Sequence, residues 1–483
     1  MRELNNQTVT KQLRPVRVLQ FGEGNFLRAF VDWQIDVANE AGITDIGVAI
    51  VQPIIDEQRN VLKMLDMMHS QDNMFHVYLE GVENKQPAKD VRIVKCVMDS
   101  FNPYVDYAKY ESYITSPDIK IIISNTTEAG IRYEEGDDLT QQPPKSFPAK
   151  MTALLYQRFK HFGGDPEMGL SVICCELIED NGSTLHEYIL RHSRYNKLGE
   201  EFIEWVESAC CFCDTLVDRI VPGFPRETIG EIKEEIGFDD NLVVKAELYH
   251  LWAIGGEGYE RVREQLPLDR AGLHTIFMPT IKQFRDKKVR ILNGSHTGMV
   301  PIALQMGCET VMDAFNTPSI ERFVGRMVAE EVIPMIEEDQ AELKQFASSI
   351  LERFYNPFIK HLLSSISLNS LSKWEARNYP TVRDWWFKRG GVARYEAFTF
   401  AALLELYSGR SGFEPNDTAE FVAFIRENWR SEDLQGTVAK IVANREMWIE
   451  DFTEAEGFVE CVVECLSDIE RLGMGAALEK FLG

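Results

Sequence analysis

The stretch Lys287-Lys288-Val289-Arg290-Ile291-Leu292-Asn293-Gly294-Ser295-His296-Thr297 places an amine, an amide and an imidazole within a few residues of one another. Alcohol oxidation, or the reverse reduction of a carbonyl, needs such groups. A base takes the hydroxyl proton, and N–H donors stabilise the developing oxyanion. A lysine with a lowered pKa can be that base without a metal ion. Asn and His can be the donors. On a regular α-helix Lys288, Asn293 and His296 would span an arc of about 140°. That is wide, but long side chains could still converge. Taken alone, His296 reads equally well as a hydrogen-bonded helix residue.

Such chemistry needs a hydride carrier, and the N-terminal region has a place for one. VRVLQF at Val16 to Phe21 is an apolar, strand-like run. Gly22-Glu23-Gly24 follows it, and then an amphipathic helical pattern of Phe26, Phe30, Trp33 and Val37. In a strand–turn–helix unit the first glycine permits the tight turn. The second lets a pyrophosphate approach the helix N-terminus. The third glycine of G-x-G-x-x-G is absent, since Leu27 occupies its place, and Arg28 could meet a phosphate or pair with an acid. After the next strand, where an acid would bind the adenosine ribose, stands Gln52. Its amide can hydrogen-bond a hydroxyl but lacks the charge that rejects a 2′-phosphate. Arg59 is the nearest arginine, so the residues lean to NAD over NADP. A second turn, Ser124-Asn125-Thr126-Thr127-Glu128-Ala129-Gly130, lies where ligands bind at the carboxyl edge of an open α/β sheet. It also reads as a capped loop and helix start.

The elements that must position these groups fall into two textures. Short apolar runs at 16–21, 46–51, 119–124 and 169–174 suit strands buried on both faces of a parallel sheet. Alternating with helices, they predict a doubly wound α/β domain over residues 1–272. Helical periodicity takes over across 273–483. Thr317 is the expected cap of a helix with Pro318 at its first position. Further helices are expected at 340–355, 393–408, 417–428, 434–446 and 454–482. The length of 483 residues suits two such domains.

A net charge of −25 argues against general binding to nucleic acid or anionic membranes. A negatively charged small substrate would need a local cluster of Lys and Arg. No run of about 18 apolar residues appears, and the polar N-terminus lacks a secretory signal's apolar core. Nine cysteines suggest free thiols in a reducing cytoplasm. Cys174-Cys175 and Cys210-Cys211-Phe212-Cys213 lack metal-site spacing, so buried core residues are expected there and no metal. The residues do not determine oligomeric state: monomer or small homo-oligomer.

Three motifs, FGEGNFLRAF at Phe21 to Phe30, TEAG at Thr127 to Gly130, and K-x-x-x-x-N-x-x-H at Lys288, Asn293 and His296, resemble the mannitol dehydrogenase family. The resemblance runs from about residue 15 into the C-terminal region. It implies an N-terminal Rossmann-like domain, a helical C-terminal domain and NAD as cofactor. Lys288 would be the general base, acting without zinc. Asn293 would stabilise the oxyanion and His296 would hold substrate hydroxyls. Phe21, Gly22, Gly24, Asn25, Phe26, Arg28, Gln52, Thr127 and Glu128 would form the cofactor site.

Departures from the family pattern bear on substrate. Leu177 replaces the second oxyanion Asn of a C-D-N stretch, next to Glu176, and Ser365 replaces a substrate-binding Arg. Lys373 is kept, and Arg377 follows it by four, on one helix face. Lys373, Arg377 or both are expected to bind a substrate carboxylate, with a solvated basic helix face as the alternative; the resemblance implies a sugar acid as the substrate. Asp218, in a V-D-R stretch, is expected to contact substrate or position Lys288, or else to form a structural ion pair. A catalytically silent NAD-binding regulator on the same scaffold would need a lost base or Asn, and both are present.

Overall fold

Runs such as Ile121–Ser124 (IIIS) and Gly47–Val51 (GVAIV) carry no polar face, so they are stable only between two layers. In the computed structural model, which describes residues 1–55, 62–83, 86–126, 130–357 and 360–483, they do lie between layers. The chain divides into two units, Met1–Ile281 and Lys282–Gly483.

The first unit is built on an eight-stranded sheet. Its strands in chain order are β1 (Val16–Phe21), β2 (Gly47–Val51), β3 (Val97–Phe101), β4 (Ile121–Ser124), β5 (Ser171–Cys174), β6 (Cys211–Asp218), β7 (Leu251–Gly255) and β8 (Thr275–Met278). In space they run β8-β7-β6-β5-β4-β1-β2-β3. The six from β1 to β6 are parallel and follow the 3-2-1-4-5-6 order of dinucleotide-binding sheets. β7 joins antiparallel to β6, and β8 pairs parallel with β7. Two apolar clusters cover the two faces. One includes Phe30, Val48, Ile121 and Trp252, the other Leu19, Ile122, Leu155 and Phe202. The order reverses between β1 and β4, and the turns after those two strands form the switch point where ligands bind.

The sequence pattern did not reveal two features. A hairpin, Phe75–Glu83 with Gln86–Val94, pairs with Val244–Ala246 as a separate sheet. β8 carries the first unit beyond residue 272, and that unit runs to Ile281.

The second unit is helical. Its core centres on Arg394–Tyr407, whose Phe398, Phe400, Leu403 and Leu404 are all buried. The expected long helix at 454–482 is two helices, Phe458–Leu472 and Met474–Leu482, broken at Gly473 with φ 80°. Thr317 precedes Pro318–Arg326, but its hydroxyl donates to Asp313 O at 3.1 Å rather than capping that helix. The helix Val311–Phe315 holds the true capping box, made by Thr310 and Asp313.

A candidate nucleotide turn and a candidate catalytic helix

Gly22 ends β1 at φ 129°, a conformation that favours glycine. A Cβ there would stand 3.0 Å from Leu27 Cδ1 and 3.1 Å from Asn125 O. Gly24 differs: nothing lies within 4 Å of a Cβ built on it. Gly22 is therefore glycine because the fold requires it, whereas Gly24 keeps space open at the start of a helix. That helix, α1, consists of Asn25–Leu27, a π segment Arg28–Asp32, and Trp33–Glu40. A cavity of about 350 Å³ opens onto the turn, lined by Gly22, Gly24, Pro53, Asn125, Thr126 and Lys150 among others. This volume and the open space over Gly24 suit the pyrophosphate part of a dinucleotide.

The other residues expected at the cofactor take varied places. Phe21 is fully buried, edge-on to Phe147 at 5.4 Å, and supports the turn from below. Phe26 stacks on Phe30 at 5.0 Å. Arg28 spends its donors locally: Nε on Glu23 O (3.1 Å), Nη1 on Leu242 O (2.7 Å) and Nη2 on Asn25 Oδ1 (2.8 Å). Burial lowers its guanidinium to about 10. Arg28 is thus the tie that holds both ends of the glycine turn, with Asn25 in the same clasp. Gln52 is buried and donates to Glu23 Oε1 (2.9 Å) while its own oxygen accepts from Asn102 (2.9 Å). It fixes a carboxylate beside the turn, and Glu23 was not singled out in the sequence because its neighbours on either side were read as the motif. Thr127 and Glu128, like Arg59, lie outside the described residues.

Glu176, beside the exposed Leu177, faces inward. Its carboxylate accepts from Ser124 Oγ (3.0 Å), Thr126 N (2.9 Å) and Thr126 Oγ1 (2.9 Å). Burial raises its pKa and these donors pull it back. Glu176 therefore pins the turn after β4. Asp218 ends β6, buried and paired in register with Leu251 of β7. Arg219 next to it donates to Ala29 O, Glu247 O and Leu248 O and lies 4.1 Å over Trp33.

In the second unit the helix α2 runs as Lys282–Lys287, a π segment Lys288–Asn293, and Gly294–Gln305. The π segment changes the geometry of the candidate set. An i→i+5 turn lays Asn293 nearly over Lys288, and His296 follows one α-turn on. The arc of the three residues shrinks from about 140° to roughly 60°. Lys288 and His296 are buried and Asn293 is half-buried. Lys287 turns away to Glu338 (2.9 Å) and Arg290 to Asp384 (2.6 Å), so the two flanking cations are structural ion pairs.

His296 stacks on Phe354 (4.3 Å, 24°) and meets the edge of His361 (5.1 Å, 79°). Burial and the charge of Arg353 push His361 down, so its ring is neutral near pH 7. Arg377 ends the helix Ser370–Arg377, donates to Thr297 Oγ1 at 3.2 Å, and pairs with no carboxylate among the described residues. Burial lowers its pKa. Lys373, one turn earlier, donates to Ile366 O at 3.0 Å. Asn378 locks this layer to α2 by donating to Gly294 O (3.1 Å) and Glu396 Oε2 (2.9 Å). Gly298 leaves room for Thr399, which a Cβ would meet at 2.9 Å. Arg377 is therefore brought to α2 at Thr297, next to His296, while His361 meets the His296 ring and the charge of Arg353 acts on His361; Lys373 lies one turn before Arg377 on its helix. Sequence reading missed His361 and Arg353, because their approach depends on helix packing. Among the described residues no group of three or more His, Cys, Asp or Glu is placed to hold a metal ion, and no helix is long and apolar enough to cross a membrane.

Set beside known proteins, this architecture has a clear place. Residues 16–268 match the mannitol dehydrogenase Rossmann domain and residues 280–470 the mannitol dehydrogenase C-terminal domain, so the chain belongs to the mannitol dehydrogenase family. Among curated relatives it is 39% identical to the altronate oxidoreductase of Bacillus subtilis, over 97% of this chain and 95% of the relative. It is 38% identical to that of Bacteroides thetaiotaomicron over 98% of both, and 37% identical to that of an Escherichia coli strain over 99% of both. Its fold matches Pseudomonas fluorescens mannitol 2-dehydrogenase, solved with NAD and D-mannitol, at TM-score 0.75 and 20% identity over 99% of each chain. It matches a substrate-free D-sorbitol dehydrogenase at TM-score 0.79 and 19% identity, over 99% of this chain and all of that one.

Proposed function

We propose that this protein is an NAD-dependent oxidoreductase that interconverts D-altronate and D-tagaturonate, with Lys288 as a metal-independent general base. The observation that carries the substrate class is Arg377, a half-buried guanidinium with no acidic partner among the described residues, beside a candidate catalytic histidine. A buried cation without a counter-ion is costly, and a substrate carboxylate would supply one. The full-length likeness to altronate oxidoreductases supports the same reading.

NAD, when bound, supplies the hydride acceptor for oxidation and, reduced, the donor for the reverse. The residues of this chain do the rest. Gly24 and the start of α1 receive the pyrophosphate. Lys288 takes the hydroxyl proton in oxidation and returns it in reduction. Asn293 donates to the oxygen as charge develops there. His296 holds neighbouring hydroxyls, its ring plane set by Phe354. Arg377 and Lys373 grip the carboxylate and so fix which carbon is presented. The nine cysteines form no disulfide, which accords with a cytoplasmic setting.

The test is NADH absorbance decay with D-tagaturonate, D-fructuronate and D-fructose. Rapid decay with tagaturonate, abolished in Lys288→Ala, is the expected result. Preference for fructuronate would keep the mechanism and change the epimer. Equal rates with fructose would overturn the carboxylate grip.

A further inference from the structure

Lys150 poses a problem that the proposed mechanism leaves open. It sits in the first turn of the helix Phe147–His161 and is only 3% exposed. Its ammonium donates to Lys145 O and lies 5.4 Å from the Tyr104 ring centre. No carboxylate pairs with it among the described residues. Asp137 acts on it only as a charge through space, and burial lowers its pKa to about 8. The other two cations on the same cavity wall, Arg132 and Lys145, both lean on Glu134, at 3.4 and 3.6 Å. Lys150 alone has a buried charge and donors to spare.

Lys150 lines the same 350 Å³ cavity as Gly22, Gly24 and Thr126. Ser146 and Phe147, at the N-terminus of its helix, line it too, and Ser146 Oγ caps that helix through Ala149 N at 3.2 Å. A 15-residue helix therefore presents its positive end to the cavity together with the ammonium. An ammonium has three donors, and one is used. A cavity with an open glycine turn, a helix N-terminus and a buried ammonium without a counter-ion is suited to an anion.

We propose that Lys150 is a further dinucleotide-binding residue whose ammonium grips the pyrophosphate resting on the Gly22–Gly24 turn. This rests on the reading that the cavity holds NAD. It gives the turn a charged partner that Arg28, tied to backbone carbonyls, does not provide. It also explains why a lysine is kept nearly buried against the cost of desolvation: the cofactor completes its ion pair.

Direct binding tests this without any sugar substrate. NADH, ADP and adenosine are titrated calorimetrically into wild type, Lys150→Met and Lys150→Arg, alongside NADPH. Met keeps the apolar stem and drops the charge. Loss of a charge-assisted contact is expected to weaken NADH and ADP about 10- to 100-fold in Lys150→Met. Adenosine should be unchanged, and Lys150→Arg should recover most of the affinity. NADH and ADP binding within threefold of wild type would overturn the proposal while leaving the NAD-dependent function intact. Equal weakening of adenosine would also overturn it, by showing a merely structural role. A loss confined to NADPH would overturn it in favour of 2′-phosphate recognition. Wild type that binds no NADH at all would overturn both this proposal and the reading beneath it.

Discussion

The glycine turn of the first unit and the candidate catalytic helix of the second are built by opposite means. Both use a helix that carries a π segment at its working end, Arg28–Asp32 in α1 and Lys288–Asn293 in α2. At the glycine turn the open surface is backbone, held by the side chains of Arg28 and Gln52, while Glu176 pins the neighbouring turn after β4. In α2 the candidate site is made of side chains, and close packing at Gly294 and Gly298 sets the helix against its neighbours. A backbone site depends on conformations that few residues adopt. A side-chain site depends on where neighbouring helices put their ends. The first therefore tolerates few substitutions for steric reasons, the second for chemical ones.

Five substitutions can break or sharpen that contrast. The largest effect is expected from Lys288→Ala: loss of the base should lower kcat by about 10²- to 10⁴-fold. NADH affinity, measured by fluorescence titration, should stay at the wild-type value. A parallel loss of NADH binding would mean that the two sites are not separable. Next, Arg377→Ala should raise KM for the keto acid about 10- to 100-fold with kcat little changed, a cost of ~2 kcal/mol. An unchanged KM would remove Arg377 from the carboxylate grip. Third, Gly22→Ala should cost ~2 kcal/mol in a denaturant titration, since its Cβ meets Leu27 and a carbonyl at positive φ. Gly24→Ala should cost under ~0.5 kcal/mol and act on NADH affinity instead. Equal stability losses would mean that both glycines serve the fold alone.

The smallest effect concerns the buried acids behind each helix. Asp32 in α1 and Glu331 and Glu396 in the second unit are held up by burial to about 8, 7 and 8. Unfolded, such groups ionise near 4. Between those values the folded chain binds more protons than the unfolded one. Stability is therefore full below about pH 4 on this account and falls as pH rises through 7 to 8. Glu396→Gln keeps an oxygen for Asn378 and should flatten that fall by ~1 kcal/mol between pH 7 and 8. Thermal melts across that range would show it, and an unchanged slope would mean that Glu396 is already ionised in the folded protein.

Much of this molecule could be read from order and spacing. Apolar runs without a polar face marked the parallel strands, and a strand–glycine–helix junction marked the nucleotide turn, because those patterns arise from local sterics and period. Lys288, Asn293 and His296 stood out as candidates by residue type and spacing, and the family resemblance gave them their expected roles. Tertiary structure decided how closely they share one face of α2. A regular helix would have spread the three over about 140°, and whether a helix takes a π turn depends on what packs against both ends of it. The same holds for Arg28, read as a phosphate contact or an acid's partner and found tied to Glu23 O, Leu242 O and Asn25, and for Lys150, unremarkable in sequence and placed by the fold on the wall of the cavity. The chain's own order determined which groups the protein owns. The partners that satisfy or strand each charge come from residues distant in sequence, so only packing could assign them.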